Sequence, residues 1–178
     1  MKNSIILWQV GGATFVAILG TLLHFAFDWT QGCILVAPIS AVNESTWEHM
    51  KIMFFPMLIY NLIQARFFAK DYQNYWTIKC IGTLVGTLLI PILFYLLNAI
   101  LGNTPDWLNV LIFFISLGVA FLIEGILLKS QRLPLTNQTM PKIILGIIAC
   151  LFFLFTFFPP KLPIFLDPIS RQFGILKA

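Results

Sequence analysis

The sequence predicts an all-α integral membrane protein of about five transmembrane helices. The chain is 59% hydrophobic and 10% charged, with a mean hydropathy of +0.90, whereas soluble domains are about 25% charged. It holds five apolar segments near the length a spanning helix needs, about 17–25 residues for roughly 30 Å of hydrocarbon. Trp8, Trp29, Trp47, Trp76 and Trp107 all fall at the ends of those segments, as an interfacial aromatic belt requires. Within hydrocarbon the backbone must satisfy its own hydrogen bonds, so the segments are helices.

The spans are read at residues 5–27, 51–68, 77–101, 107–128 and 142–158, in one transmembrane domain over 1–178. The first follows Lys2 in the manner of a signal peptide, but it is too long for a leader and no cleavage pattern follows it. It is read as a retained helix. Residues 33–40 are apolar but too short to cross, which leaves a re-entrant or interfacial segment. Ser45-Thr-Trp-Glu48 reads as a capping box opening the second helix, with Asn43 as a competing cap. Pro56 and Pro91 each remove a backbone donor inside a span. Gly82 and Gly86 form a G-x-x-x-G read as close helix packing. Pro159, Pro160 and Pro163 exclude a regular helix in the C-terminal tail, which is expected to pack on the outer face.

Charge sets the orientation. Lys2, Arg66, Lys70, Lys79, Lys129, Arg132 and Lys142 fall on one side, seven in all; Lys51, Lys161, Arg171 and Lys177, four, fall on the other. The richer side is cytoplasmic, so the N-terminus is expected inside, and the first loop and C-terminus outside. The basic residues are not clustered with aromatics, so nucleic acid is not an expected partner; membrane lipid is. Cys33, Cys80 and Cys150 are odd in number and form no C-x-x-C, so no disulfide framework is expected, and Cys150 is read as a small buried hydrophobe.

The chemistry-bearing residues gather in 23–51, which holds both histidines, His24 and His49, and the acids Asp28, Glu44 and Glu48. His24 and Asp28, four apart, share a helix face. Glu44 shares a face with Glu48 only if the second helix starts by Asn43; with Ser45 as the cap, its direction is open. Lys51, three beyond Glu48, is placed to pair with it. Two histidines with carboxylates at one membrane face suit a divalent metal such as zinc, with His24, His49 and Glu48 as ligands. The spacing matches no named zinc signature. A second chemical reading is a histidine base oriented by a carboxylate and acting on a lipid or lipid-linked group. The structural alternative is that acids at a helix N-terminus answer the macrodipole and that His24 only bonds Asp28. Asp167, in Phe165-Leu-Asp-Pro168, falls on the same side, with Arg171 near it for an anionic head group; its alternative is a turn. Glu124 is the one acid within a span. It is either a snorkelling or hydrogen-bonded residue or part of a proton or ion path.

Gly20-Thr-Leu-Leu-His-Phe-Ala-Phe-Asp-Trp29, Asn43-Glu-Ser-Thr-Trp-Glu-His-Met-Lys51 and Phe158-Pro-Pro160 leading to Phe165-Leu-Asp-Pro168 resemble an uncharacterised family of small bacterial multi-pass membrane proteins. The resemblance covers nearly the whole chain. It implies a bacterial plasma membrane and supplies no reaction. The family's pattern near the end reads D-P-x-T-G-x-Y-G, where this chain has Asp167-Pro-Ile-Ser-Arg-Gln-Phe-Gly174. No role resting on a tyrosine hydroxyl is expected at Phe173.

Ionisable groups near hydrocarbon are costly and have partners. The sequence therefore predicts an outward-facing pocket lined by His24, Asp28, Glu44, Glu48, His49 and Asp167. It would serve a hydrolase or transferase acting on a lipid or lipid-linked substrate. The rivals are a small-molecule binding or transport component, sensitive to Glu124, and a non-catalytic assembly protein.

Overall fold

The computed structural model describes residues 2–102, 105–130, 133–135 and 137–175. Arg132 and Lys177 of the charge count lie outside them. Five helices run up and down in chain order: α1 (Lys2–Trp29), α2 (Thr46–Phe68), α3 (Tyr75–Leu101), α4 (Asp106–Ser130) and α5 (Thr139–Phe157). A single 3₁₀ turn, Pro163–Phe165, follows in the tail. Among the described residues the one extended pairing is an isolated bridge between Leu166 and Phe173.

Helices α1, α3, α4 and α5 are long and apolar enough to cross a membrane. Helix α2 falls below that standard, because it carries Glu48, Lys51, Asn61, Gln64 and Arg66. It tolerates them by lying inside the bundle, against α1, α3 and α5. Glu48, Lys51, Asn61 and Gln64 are all buried, and a buried polar group must find a partner. Asn61 Nδ2 donates to Thr83 Oγ1 at 2.9 Å. The Tyr75 hydroxyl donates to the Asn61 carbonyl at 2.7 Å. Pro56 and Pro91 stand within α2 and α3, which continue through them.

The G-x-x-x-G lies on the seam between α3 and α4. A β-carbon on Gly86 would come within 3.0 Å of Ala120 Cβ. One on Gly82 would overlap Glu124, whose carboxylate fills the space the missing side chain leaves. Glu124 is wholly buried and bonded to Lys79 Nζ, with Gln9 Nε2 donating to it at 3.3 Å. It does not snorkel. Lys79, counted from sequence as a loop charge, is also wholly buried, with Tyr60, Tyr75 and Phe121 rings 5.8–5.9 Å from its ammonium. Gly82→Ala should therefore lower stability by about 1–3 kcal/mol through overpacking, more than Gly86→Ala. Thermal unfolding of the two variants in one detergent checks the order.

One smaller expectation changes. Cys150 is exposed on α5, not buried. Of the tryptophans, Trp29 and Trp107 are exposed, while Trp8, Trp47 and Trp76 pack inward on the core. Trp47 stacks among Phe152, Phe155 and Phe165, which joins α2 to α5 and the tail.

Candidate functional site

Residues 30–45 fold as turns over the ends of α1, α2 and α5. Ala41 N donates to the Leu23 carbonyl at 3.1 Å. Asn43 Oδ1 accepts from Ser45 N at 2.8 Å, and Asn43 Nδ2 donates to the Gly174 carbonyl at 2.8 Å, so one side chain ties the loop to the tail. Residues 33–40 form turns, not a helix; Ile34 and Leu35 are exposed and Ala37 is buried.

Helix α2 starts at Thr46, after Ser45, whose side chain makes no capping bond. The expected capping box does not form. Glu48 Oε2 instead accepts from Val42 N at 3.1 Å and pairs with Lys51 Nζ. Lys51 also donates to the Ala37 carbonyl at 2.9 Å and to Thr156 Oγ1 at 2.8 Å. These bonds satisfy the ammonium and hold the loop, α2 and α5 together. Glu48 is part of this tie and is not in the cluster of ligand atoms around the histidines.

Glu44 lies one residue before the cap, so the helix does not set its direction. It turns to both histidines. His24 Nε2 is 3.7 Å from Glu44 Oε1, and His49 Nε2 is 3.6 Å from Glu44 Oε2. His49 Nδ1 lies 2.9 Å from the Ser45 carbonyl. A carbonyl only accepts, so Nδ1 donates to it, and Nε2 is the ring nitrogen that faces Glu44. The His24 and His49 rings are 5.3 Å apart. His24 Nδ1 is buried with no hydrogen-bond partner among the described residues. One ligand atom from each of His24, Glu44 and His49 lies within 4.8 Å of the other two. Glu44 thus takes the place beside the histidines that the sequence spacing offers to Glu48. Asp28 is exposed, one turn beyond His24 on α1.

Asp167 is buried, but it closes a turn of its own. Its Oδ1 accepts from Ile169 N at 2.9 Å and its Oδ2 from the Ser170 hydroxyl at 2.6 Å. The turn reading of Asp-Pro is the one that describes it. Its consequence for the site is indirect: the turn sets Pro168 and Ile169 in the cavity wall. Arg171 in the same turn has φ 60°. A side chain there is strained, so Arg171→Gly should raise stability by about 1 kcal/mol, while Arg171→Ala should not. Paired thermal melts read this directly.

Two adjoining cavities meet at Glu44, His49, Asn109 and Ile169. The larger, about 430 Å³, lies between α1 and α4 with Val110, Phe113 and Phe114 in its wall and His24, Glu44 and His49 at its polar end. The smaller, about 80 Å³, reaches Thr46, Ile90, Phe94 and Pro168. Asn109 belongs to neither the loop nor the tail, and sequence reasoning missed it. Its only signal is a carboxamide near the start of an otherwise apolar span. Its Oδ1 is buried with no partner among the described residues.

A model for a family of unknown function, DUF6512, matches residues 1–175. The chain belongs to DUF6512. The resemblance to an uncharacterised family therefore holds over nearly the full length. No curated protein and no solved structure matches the chain. DUF6512 membership assigns no reaction, so the chemistry rests on the geometry of His24, Glu44 and His49.

Proposed function

We propose that this protein holds a divalent metal such as zinc at His24, Glu44 and His49 and acts there as a hydrolase or transferase on a lipid or lipid-linked substrate. The observation that carries the reading is the convergence of three ligand atoms at the polar end of an apolar-walled cavity between two helices. Zinc takes imidazole nitrogen and carboxylate oxygen at about 2.0–2.2 Å, which sets tetrahedral ligands roughly 3.3 Å apart. The three ligand atoms lie within 4.8 Å of one another, wider than that spacing, and the Glu44 side chain, 42% exposed, has room to close on an ion. Three protein ligands leave one position open, the arrangement of a catalytic site.

A divalent ion held there supplies a polarised water and a Lewis acid for a carbonyl or phosphoryl oxygen. The chain supplies the rest. The Ser45 carbonyl fixes the His49 ring and its tautomer, the outer-shell role that metal-bound histidines need. The phenylalanines of α4 keep one side of the cavity apolar. The charge bias supports an outward-facing site. With buried Lys51 and Lys79 set aside, seven against four becomes six against three, in the same direction.

The test is turnover in reconstituted vesicles carrying a panel of lipid esters and phosphodiesters, with products read by mass spectrometry. The expected result is product release that needs added zinc and is lost in Glu44→Gln. Release that persists unchanged in chelator contradicts the proposal.

A further inference from the structure

Asn109 stands where the two cavities meet and lines both. Its carboxamide oxygen is shut away from solvent, and no donor among the described residues reaches it. A buried acceptor without a donor is costly. At a cavity wall, such an atom marks the place where a ligand brings the donor.

The two spaces differ in kind. The larger, about 430 Å³, is within the size range of small-ligand sites, roughly 300–1,000 Å³. Phe25 of α1 and Val110 and Phe114 of α4 line it and are also exposed on the outer surface of the bundle. It therefore opens sideways, on the face where α1 and α4 would meet lipid. A chain can enter there without leaving an apolar surrounding. The smaller space, about 80 Å³, is several times the roughly 10–15 Å³ that a single water needs. A glycerol or a phosphate is of that scale. The space borders Glu44, Thr46, His49 and Asn109.

We infer that the site takes a single-chain amphiphile with a compact head group bearing an O–H or N–H donor. The chain lies in the groove between α1 and α4. The head enters the small chamber, where Asn109 Oδ1 accepts its donor. The linkage between chain and head then falls beside His24, Glu44 and His49. Only this last placement rests on the metal-site reading; the seats of chain and head do not.

The probe is a monoacylglycerol with a diazirine in its acyl chain, added to the full-length protein in nanodiscs, with or without zinc and chelator. After irradiation, mass spectrometry should find adducts concentrated on α1 and α4 at Phe25, Val110 and Phe114. Unlabelled monoacylglycerol should compete about tenfold better than the fatty acid methyl ester of the same chain, which has no donor. Asn109→Ala should erase that difference, and Asn109→Asp, which keeps an acceptor, should retain it. Val110→Trp should block adducts from both. Thermal melts confirm that each variant is folded. Adducts spread evenly over the outer faces of α3 and α5, or equal competition by the methyl ester, overturn the inference. Groove labelling in a protein that binds no zinc would sink the metal reading alone. Zinc binding without groove labelling would sink this inference alone.

Discussion

His49→Ala should weaken zinc binding by more than the about 10–100-fold that loss of an outer-shell partner costs. The reason is positional. In the proposed site His49 offers Nε2, because its Nδ1 proton is committed to the Ser45 carbonyl. Removing the ring also removes the group that, with His24, draws Glu44 inward from a turn that does not otherwise fix it. His24→Ala and Glu44→Gln should weaken binding in the same way. Asp28→Asn should leave it nearly unchanged, since Asp28 is outside the ligand set. Glu48→Gln is the informative contrast. It should lower stability, because Lys51 loses its buried counter-ion, and it should leave zinc affinity close to wild type. Titration against a chromophoric chelator separates the two effects. Had the ligand set been His24, His49 and Glu48, the ranking of Glu44 and Glu48 would be reversed.

Lys79→Met carries the largest expected loss of stability, about 3–5 kcal/mol, the usual consequence of removing one partner of a buried ion pair. Lys79 and Glu124 are both wholly buried, and the carboxylate fills the space beside Gly82. With Lys79 gone, the Gln9 carboxamide is the donor left to Glu124 among the described residues. The double variant Lys79→Met/Glu124→Leu should recover most of the loss, because two apolar groups leave no uncompensated charge. Thermal or denaturant unfolding of the two singles and the double makes the cycle. A transport role would make a different demand on the same pair, since neutralising Glu124 would then stop function in a protein that still folds.

Much of the fold was legible because hydrocarbon imposes length. Four apolar runs of sufficient length became α1, α3, α4 and α5 with ends shifted by a few residues. Helix α2 was legible as a helix, but not as the interior one. That depends on neighbours that satisfy Lys51, Asn61 and Gln64, and no local pattern records them. The candidate site divided along the same line. His24 and His49 lie on helices, and their common end followed from the topology. Which glutamate joins them turned on one residue of helix phase at Ser45. The spacing showed both possibilities, and only the folded loop decides between them. Asp167 was legible as a turn former, while its effect, placing Pro168 and Ile169 in the wall, is long-range. Asn109 left only a faint signal, because a lone carboxamide in an apolar span acquires meaning from the cavities it borders. Glu124 was visible as an exception. Its partners, 45 residues away at Lys79 and 115 away at Gln9, were not.

The metal itself is the most direct measurement. Protein purified without chelator, dialysed against buffered zinc and analysed by plasma mass spectrometry should carry one zinc per chain. His24→Ala, Glu44→Gln and His49→Ala, each shown to be folded, should carry none. The contrary result is a folded wild-type protein with no zinc above background, or one equivalent retained when all three ligands have been replaced.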